Sequence, residues 1–260
     1  MKFNVHQDIK KAETLPASFY KDKAVFESLF YSESIPFIAV FSEEMLKAKR
    51  KERADYPATV DFGKFGPPSK MLLGDDALEE TALQVATGLK ALNYSGVDIY
   101  YMAGNRDFLI GNDYAQKSGM QIINEPHVID VNGEATLLIH GDAECTDDIP
   151  YQQARKMLRN PAWQTDFLSK SIPERIAFAE QARKQSQEHT QGADMDIMDV
   201  NLDAINSLFE QHNIKQMIHG HTHRPAIHES GNTRRIVLGD WHKQASYLVC
   251  DESDLNLVCT

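Results

Sequence analysis

Two histidines, His221 and His223, stand two residues apart in the string IHGHTHRP at 218–225. They follow a short run at 216–218 whose pattern is typical of a β-strand. Imidazoles with this spacing at the end of a strand can converge on one metal ion from a single turn. A lone histidine is more often structural, but a pair placed in this way predicts a metal site.

Two other strand-like runs also end in residues with ligand-type side chains. The string GNRD at 104–107 follows IYYMA, and HGD at 140–142 follows TLLI. Asn105 offers an amide oxygen and His140 an imidazole, and both groups suit divalent transition metals such as Mn²⁺. In open α/β sheets the loops after the carboxyl ends of strands build the site. The three loops together therefore predict a divalent-metal site at one edge of a sheet.

The elements that carry these loops alternate between strand and helix from about residue 72 onward, which predicts a layered α/β domain. Apolar side chains recur at helical spacing between residues 82 and 92, and Gly96 is expected to end this helix before a strand at 97–102. The further predicted elements are strands at 135–139, 216–218, 236–238 and 247–250 and a helix at about 197–211.

A long segment at 151–196 lies between two of these strands, and its pattern predicts helices. Ser171 and Glu174 form a capping box, so one helix is expected to end near Lys170 and another to begin after it. One interpretation of the segment is a helical hairpin that packs on the core. The other is a cap over the site, in which an apolar groove for a substrate would be lined by Trp163, Phe167, Leu168, Ile172 and Ile176.

The composition narrows the class of protein. The 260 residues are 42% apolar, which is enough for a sizeable core. With 27 basic and 38 acidic residues the net charge is −11, which opposes general binding to nucleic acid or anionic lipid. The cysteines, Cys145, Cys250 and Cys259, form no CxxC pair, which favours a reducing compartment. The longest apolar run near the amino terminus, 35–41, is short, so we expect a cytosolic protein with at most peripheral membrane contact.

The order GNxD, HGD and GHTH resembles the signature of the calcineurin-like metallophosphoesterases. Within that superfamily, longer strings resemble the UDP-2,3-diacylglucosamine hydrolase family: GNRDFLIG, HGDAECTDD, IMDVN, IHGHTHRPAIHE and VLGDWH. The resemblance implies a four-layer αββα sandwich with a helical cap at about 151–196 and two Mn²⁺ ions per chain. It also implies hydrolysis of the pyrophosphate of UDP-2,3-diacylglucosamine to 2,3-diacylglucosamine 1-phosphate (lipid X) and UMP, in lipid A biosynthesis. The implied location is the cytoplasmic face of the inner membrane, with peripheral contact and without a protein or nucleic-acid partner.

The resemblance also assigns roles to particular residues of this chain. The implied metal ligands are Asn105, His140, His221 and His223, with Asp75 as a further candidate. The implied substrate contacts are Asn105, Arg106, Asp148, Tyr151, Arg183, Ser186 and His221, with Thr190 and Ala193 as further candidates on the helix face of Ser186. Arg106 suits a phosphate because its planar guanidinium donates several hydrogen bonds, although an ion pair with Asp107 is an alternative. No side-chain nucleophile is expected.

The chain departs from the family's pattern in a divergent part, residues 1–71, whereas residues 72–260 form the predicted metallophosphoesterase domain. The family opens with a strand ending in DxH, followed about 30 residues later by a strand ending in GDLFE; these supply ligands for one metal and the carboxylate that bridges both, and neither motif is present in this part of the chain. The change is abrupt after SLFYSES at 28–34, and we interpret it as a compensated reading-frame disruption. Family members usually carry lysine where this chain has Ala193, which would weaken substrate binding. Two alternatives to an active hydrolase stay open: a metal-impaired inactive homologue, and a phosphoesterase that acts on nucleotides or nucleic acid.

Overall fold

The structure is a computed structural model that describes residues 73–78, 80–94, 98–192, 199–239, 246–250 and 255–259. Within these residues the helices are α1 (Glu80–Tyr94), α2 (Asn112–Ser118), α3 (Ile149–Leu158), α4 (Pro161–Ser169), α5 (Ile172–Gly192) and α6 (Leu202–His212). The strands are β1 (Ile99–Met102), β2 (Met120–Ile123), β3 (His127–Val131), β4 (Glu134–Leu138), β5 (Gln216–His219), β6 (Ala226–Ser230), β7 (Thr233–Val237), β8 (Ser246–Cys250) and β9 (Leu255–Cys259). This part of the chain is mixed α/β, which confirms the α/β part of the prediction. Residues 1–71 and their departures from the family pattern lie outside the described residues.

The central sheet has the strand order β3-β4-β5-β7-β6. Strands β4, β5 and β7 run parallel, with Leu138 paired to Ile218, while β3 and β6 are antiparallel to their neighbours. The carboxyl ends of β4 and β5 therefore lie side by side, with His140 just after one and His219 at the end of the other. The Gly220 N–H donates to the His140 carbonyl over 3.0 Å, which joins the two loops that leave the sheet.

Both faces of the central sheet are buried, as expected for parallel strands that are covered on both sides. On one face, Leu137 and Met217 pack against Ile205 and Phe209 of α6. On the other face, apolar residues of the central sheet pack against β8, with residues of β1, β2 and β9 at the edge of the cluster. A further core joins α1 and α2 to β1 and β2. Each fully buried aliphatic or aromatic side chain contributes about 1.5–3 kcal/mol, so the strands that carry the site loops are firmly held.

Most predicted elements have a counterpart in the structure. The strands predicted at 135–139, 216–218, 236–238 and 247–250 correspond to β4, β5, β7 and β8, and the helix at 82–92 corresponds to α1. The helix predicted at about 197–211 begins only at Leu202, because the side chain of Asn201 accepts hydrogen bonds from the N–H groups of Asp203 and Ala204 as the N-cap. The pattern does not predict β2, β3, β6 and β9, since strands of four or five residues with exposed side chains show little apolar periodicity.

Helices α3, α4 and α5 form the segment that was predicted to be helical. The predicted break is confirmed, since α4 ends at Ser169 and α5 begins at Ile172. One half of the capping box is confirmed, because Glu174 Oε2 accepts hydrogen bonds from the Ser171 N–H at 2.9 Å and the Ser171 hydroxyl at 2.6 Å. None of the helices α1–α6 combines the length and the apolar character that a membrane span requires.

An aromatic cluster ties α4 and α5 to the rest of the domain. Phe167 of α4 is 3% exposed, packs with Leu73 and Leu109, and stacks on Trp163 at a centroid distance of 4.8 Å. The prediction that Phe167 lines an open apolar groove is therefore wrong, because a side chain buried in the core has no face left for a substrate. The predicted groove residues that keep open surface are Leu168 and Ile172, at 39% and 38% exposure. The segment thus packs on the core, as in the hairpin interpretation, and leaves part of its apolar surface free.

Asp75 stabilises the first turn of α2. Its carboxylate oxygens accept hydrogen bonds from the N–H groups of Gly111, Asp113 and Tyr114 at 2.9–3.1 Å, where its charge also complements the helix dipole. We expect Asp75→Ala to lower the free energy of unfolding by about 0.5–2 kcal/mol, as measured by urea denaturation. Because these bonds occupy both oxygens, the variant should keep the Mn²⁺ content of the parent chain. A variant that loses Mn²⁺ while staying folded would instead support Asp75 as a metal ligand.

Candidate active site

The loop after β5 carries His221 and His223 in a rarely populated backbone conformation. Their φ angles are +65° and +55°, in the left-handed region that residues other than glycine seldom adopt. Such residues cost about 1–3 kcal/mol each, persist only where the surroundings hold them, and cluster at functional sites. On the far side of this loop, Arg224 Nη1 lies 2.6 Å from Asp199 Oδ2 and anchors the chain. The fold therefore stores strain at the two histidines that the sequence singled out.

His140 and His221 meet where the loops after β4 and β5 adjoin. Their ring centroids are 5.1 Å apart, and the ring planes are inclined by 67°. Burial disfavours the charged imidazolium and lowers the pKa of His140 to about 3 and that of His221 to about 4. Both rings are therefore neutral near pH 7, and the neutral imidazole is the form that binds a metal.

The described surroundings of His140 engage one of its two ring nitrogens. Nε2 accepts a hydrogen bond from the Asn105 N–H at 3.3 Å, which brings the GNRD loop against the HGD loop. Nδ1 is buried and has no hydrogen-bond partner among the described residues. Because Nε2 is the acceptor of this neutral ring, Nδ1 carries the proton, so the unpartnered atom is an N–H donor, and a metal ion would bind the ring at Nε2 in place of the Asn105 N–H.

Asp107 supports the GNRD loop from the inside and is completely buried. Its Oδ1 accepts a hydrogen bond from the Gly104 N–H at 2.6 Å, and the Tyr101 hydroxyl donates to its backbone carbonyl at 3.0 Å. Its Oδ2 has no hydrogen-bond partner in the described part of the chain, so the alternative of an Arg106–Asp107 ion pair is not observed there. Arg106 is instead exposed, and its charge helps to lower the pKa of His221.

Burial also raises the pKa of Asp107, from 3.8 to about 7. The folded chain keeps this carboxyl protonated at a pH where the unfolded chain has ionised it, so its contribution to stability is present below pH 3.8 and is lost as the pH rises through 7. Relative to Asp107→Asn, the parent should lose on the order of 1 kcal/mol of unfolding free energy per pH unit over that window. Urea denaturation of both metal-free chains at about pH 5 and about pH 7 measures the difference. A parallel response of the two chains would contradict the raised pKa.

Tyr151 reaches the site from the first turn of α3. Its hydroxyl donates to Asp142 Oδ2 at 2.8 Å, and its ring centroid lies 5.7 Å from that of His221. Asp148 is buried and caps α3 by accepting a hydrogen bond from the Tyr151 N–H at 3.0 Å. The structure thus brings the predicted substrate residue Tyr151 to the histidines and gives Asp148 a helix-capping contact.

The other predicted site residues are described only in part. Arg183, Ser186 and Thr190 lie in α5, of which the described part includes their backbone but not their side chains, and Ala193 lies outside the described residues. Their contact with substrate stays a prediction. His223 is exposed, two residues beyond His221, and its charge influences the pKa of that ring.

His219 is the structural histidine of this loop. It is 1% exposed, its Nδ1 lies 3.0 Å from the Gly220 carbonyl, and its Nε2 lies 3.0 Å from Arg235 Nη1. Because an arginine can only donate, Nε2 is the acceptor and Nδ1 carries the proton that it donates to Gly220. Both ring nitrogens are therefore engaged by the protein.

Sequence reasoning missed four charged residues behind the site: Glu125, Asp142, Arg155 and Arg159. Asp142 is completely buried, with its Oδ2 at 3.0 Å from Arg155 Nε and 3.9 Å from Arg159 Nη2. The signals that could have revealed them are the aspartate of the HGD string and the two arginines four residues apart near the end of α3.

The described residues supply part of a divalent-metal site. Neutral imidazoles at His140 and His221 lie beside the Asn105 loop. These donors fit a transition metal. Across residues 73–259, so far as they are described, no three His, Cys, Asp or Glu side chains converge in a way that could hold a metal ion. A complete coordination shell needs donors beyond this cluster.

No family profile matches the chain, but curated proteins do. It is 47% identical over 196 residues to UDP-2,3-diacylglucosamine hydrolase of Stenotrophomonas maltophilia strain K279a, which covers 71% of this chain and 79% of the relative. The protein of that name from Nitrosococcus oceani is 47% identical over 182 residues, covering 68% and 73%. The one from Xanthomonas axonopodis pv. citri strain 306 is 44% identical over 216 residues, covering 79% and 87%.

The similarity to these relatives extends beyond residues 72–260, the part of the chain that carries the motifs. Residues 72–260 make up less than three quarters of the chain, so an alignment that covers 79% of it includes residues before 72. The identity is 44–47% over 68–79% of this chain. The chain therefore belongs to the UDP-2,3-diacylglucosamine hydrolase family.

Proposed function

We propose that this chain hydrolyses the pyrophosphate bond of UDP-2,3-diacylglucosamine to 2,3-diacylglucosamine 1-phosphate and UMP, a reaction of lipid A biosynthesis. The curated relatives carry the substrate and the reaction class in their names. The observation on this chain that carries the proposal is the meeting of the ligand-bearing loops, with the His140 and His221 rings 5.1 Å apart. Neutral imidazoles, buried at His140 and half-buried at His221, beside the Asn105 loop and the Tyr151 phenol suit metal-assisted hydrolysis of a phosphoric anhydride.

The proposed architecture is a four-layer αββα sandwich that spans residues 72–260, with a cap at about 151–196. The packing of helices against the sheets supports this architecture. Helices α1 and α2 pack on β1 and β2, whose residues Met102 and Ile123 contact the cluster on one face of the central sheet. Helix α6 covers the opposite face of that sheet. We propose that helices, two sheets and a further helix follow one another in this order.

The proposed ligands of Mn²⁺ are Asn105, His140, His221 and His223, with two ions per chain. When bound, such ions stabilise charge on phosphoryl oxygens and make water a better nucleophile near neutral pH. The chain's own contribution is to hold neutral imidazoles and an amide at the ends of strands that are packed on both faces. The oxygen of water joins one phosphorus, and the bridging oxygen leaves with the other phosphate, so no covalent enzyme intermediate forms.

The proposed substrate contacts lie on the loops of the site and on the cap. Arg106 is exposed beside His221, where a guanidinium can donate to phosphate oxygens. The other proposed contacts are Asn105, Asp148, Tyr151, Arg183, Ser186 and His221, with Thr190 and Ala193. Exposed apolar side chains on the cap, such as Ile149 at 58% and Met157 at 46%, suit acyl chains or a lipid surface. We place the protein on the cytoplasmic face of the inner membrane, in peripheral contact with it.

The test combines the Mn²⁺ content per chain after loading with the release of UMP from UDP-2,3-diacylglucosamine. Two bound ions with turnover would support the proposal. One ion or none, without turnover, would indicate a metal-impaired homologue. That candidate is favoured by the missing DxH and GDLFE strings and by the lack of a three-residue His, Cys, Asp or Glu cluster in the described part. Cleavage of an oligonucleotide in place of the sugar nucleotide would favour a nucleotide phosphoesterase.

A further inference from the structure

Two arginines at the carboxyl-terminal end of α3 contact two different loops of the site. Arg155 lies in the last turns of the helix and Arg159 is its C-cap residue, and residues four apart share one helix face. Both guanidinium groups therefore leave the helix on the side of the strand ends. The proposed reaction gives neither residue a role.

Arg159 holds the backbone just before Asn105. Its Nη2 donates to the carbonyls of Ala103 and Gly104 at 3.3 and 3.0 Å, and its guanidinium lies 5.2 Å from the centroid of the Phe108 ring. One side chain thus contacts the GNRD loop on both sides of its ligand residue. The position of Asn105 depends on these contacts because the carbonyls belong to the two residues that precede it.

Arg155 holds the second loop on both sides of His140. Its Nε lies 3.0 Å from Asp142 Oδ2, and its Nη2 lies 3.5 Å from Glu125 Oε2. The Oε1 of Glu125 in turn accepts a hydrogen bond from the His140 N–H at 2.9 Å. Because the Asp142 side chain is completely buried, its charge needs a partner inside the protein, and Arg155 supplies it.

The same helix carries Tyr151, whose hydroxyl shares Asp142 Oδ2 with Arg155. Through the Tyr151 ring, α3 also meets His221 on the third loop. One cap helix therefore contacts each of the three loops that the sequence marked. A rigid helix with contacts to several loops sets the distances between them.

We infer that Arg155 and Arg159 are positioning residues that brace the Asn105 loop against the His140 loop through α3. The first cap helix and the ligand loops then behave as one rigid unit. The inference rests on the proposed metal site and deepens it. Removal of either guanidinium lets one loop move relative to the other, which lowers the affinity for Mn²⁺ and the kcat, whereas the KM changes little.

The test uses Arg155→Gln and Arg159→Gln, which remove the charge and keep a polar side chain, and Arg159→Lys, which returns the charge. Lys156→Gln is the matched control, since Lys156 is an exposed cation on the same helix. Titration calorimetry gives the affinity for Mn²⁺, and UMP release gives kcat and KM. Each Gln variant should bind Mn²⁺ about 10-fold to 100-fold more weakly, as outer partners of metal ligands do. Its KM should stay within about twofold of the parent value, Arg159→Lys should recover part of the affinity, and the control should match the parent.

A purely structural role gives a different result. Gln variants with a lower Tm but with parental Mn²⁺ affinity and parental kcat per folded molecule would overturn the inference. If the parent binds Mn²⁺ but releases no UMP, the proposed reaction is contradicted. The differences in Mn²⁺ affinity between the variants and the parent still test whether the two arginines brace the loops. For a parent that binds no Mn²⁺, hydrogen exchange of the amides at 103–107 and 140–142 decides. Each single variant should then lose protection in the loop that its arginine contacts, at 103–107 for Arg159→Gln and at 140–142 for Arg155→Gln, and parental protection in both variants would rule the brace out.

Discussion

The His221→Ala variant is expected to lower kcat/KM for UMP release by more than about 100-fold, because loss of even an outer partner of a metal ligand costs about 10–100-fold. His221 is proposed both as a metal ligand and as a substrate contact, and its ring adjoins those of His140 and Tyr151. Burial keeps the pKa of His221 at about 4, so the parent ring stays a neutral ligand across the assay range. Initial rates of UMP release with excess Mn²⁺ measure the effect.

His228→Ala is the matched control, because His228 is an exposed histidine on β6. It should keep kcat/KM within about twofold of the parent value, as surface substitutions usually do. His221→Asn separates the ligand role from loop folding, since asparagine tolerates the positive φ of +65° at this position. A folded but inactive His221→Asn chain supports the ligand role. Near-parental rates in both His221 variants would remove His221 from the site.

Phe167→Ala should lower the free energy of unfolding by about 3–5 kcal/mol, the usual loss for a buried phenylalanine. Phe167 is 3% exposed, and its ring contacts Trp163 at 4.8 Å and Phe178 at 5.2 Å, so alanine leaves a cavity between the cap and the core. For a domain of this size, each kcal/mol lowers Tm by about 2–4 °C. Thermal and urea denaturation measure the change.

Phe178→Ala is the matched control for this variant. Phe178 belongs to the same aromatic contacts but is 37% exposed, so its truncation removes less buried area and should cost clearly less. An unchanged Tm for Phe167→Ala, together with a raised KM for the acylated substrate, would contradict its assignment to the core. That outcome would support the prediction that Phe167 lines an acyl-binding groove.

The placement of the site loops could be predicted from sequence because it follows from local patterns. Short apolar runs that end before His140 and His221 predict strands, and the carboxyl ends of parallel strands lie along one edge of a sheet. The capping box of Ser171 and Glu174 was predictable for the same reason, since it involves residues within one helical turn. An interaction between two residues can be predicted from sequence when they lie a few positions apart in the chain.

Contacts between distant positions were not predictable in this way. Asp75 meets the α2 amino terminus across more than thirty residues, and Arg159 meets the Gly104 carbonyl across fifty-five. The sequence shows a carboxylate and an arginine but not which group each will face, because that depends on how the cap and strands pack. Phe167 is a further case, since an apolar residue on a helix can face a groove or the core with the same periodicity.

By itself, the sequence determined the α/β class and the family, and it marked Asn105, His140, His221 and His223 as ligand-type residues at strand ends. Only the tertiary structure decided their environments. The neutral state of the His140 and His221 imidazoles, the strained backbone of the last loop and the arginine contacts from α3 all depend on it. The physical reason is that desolvation and long-range pairing arise from groups brought together by packing, and one-dimensional spacing does not encode which groups meet.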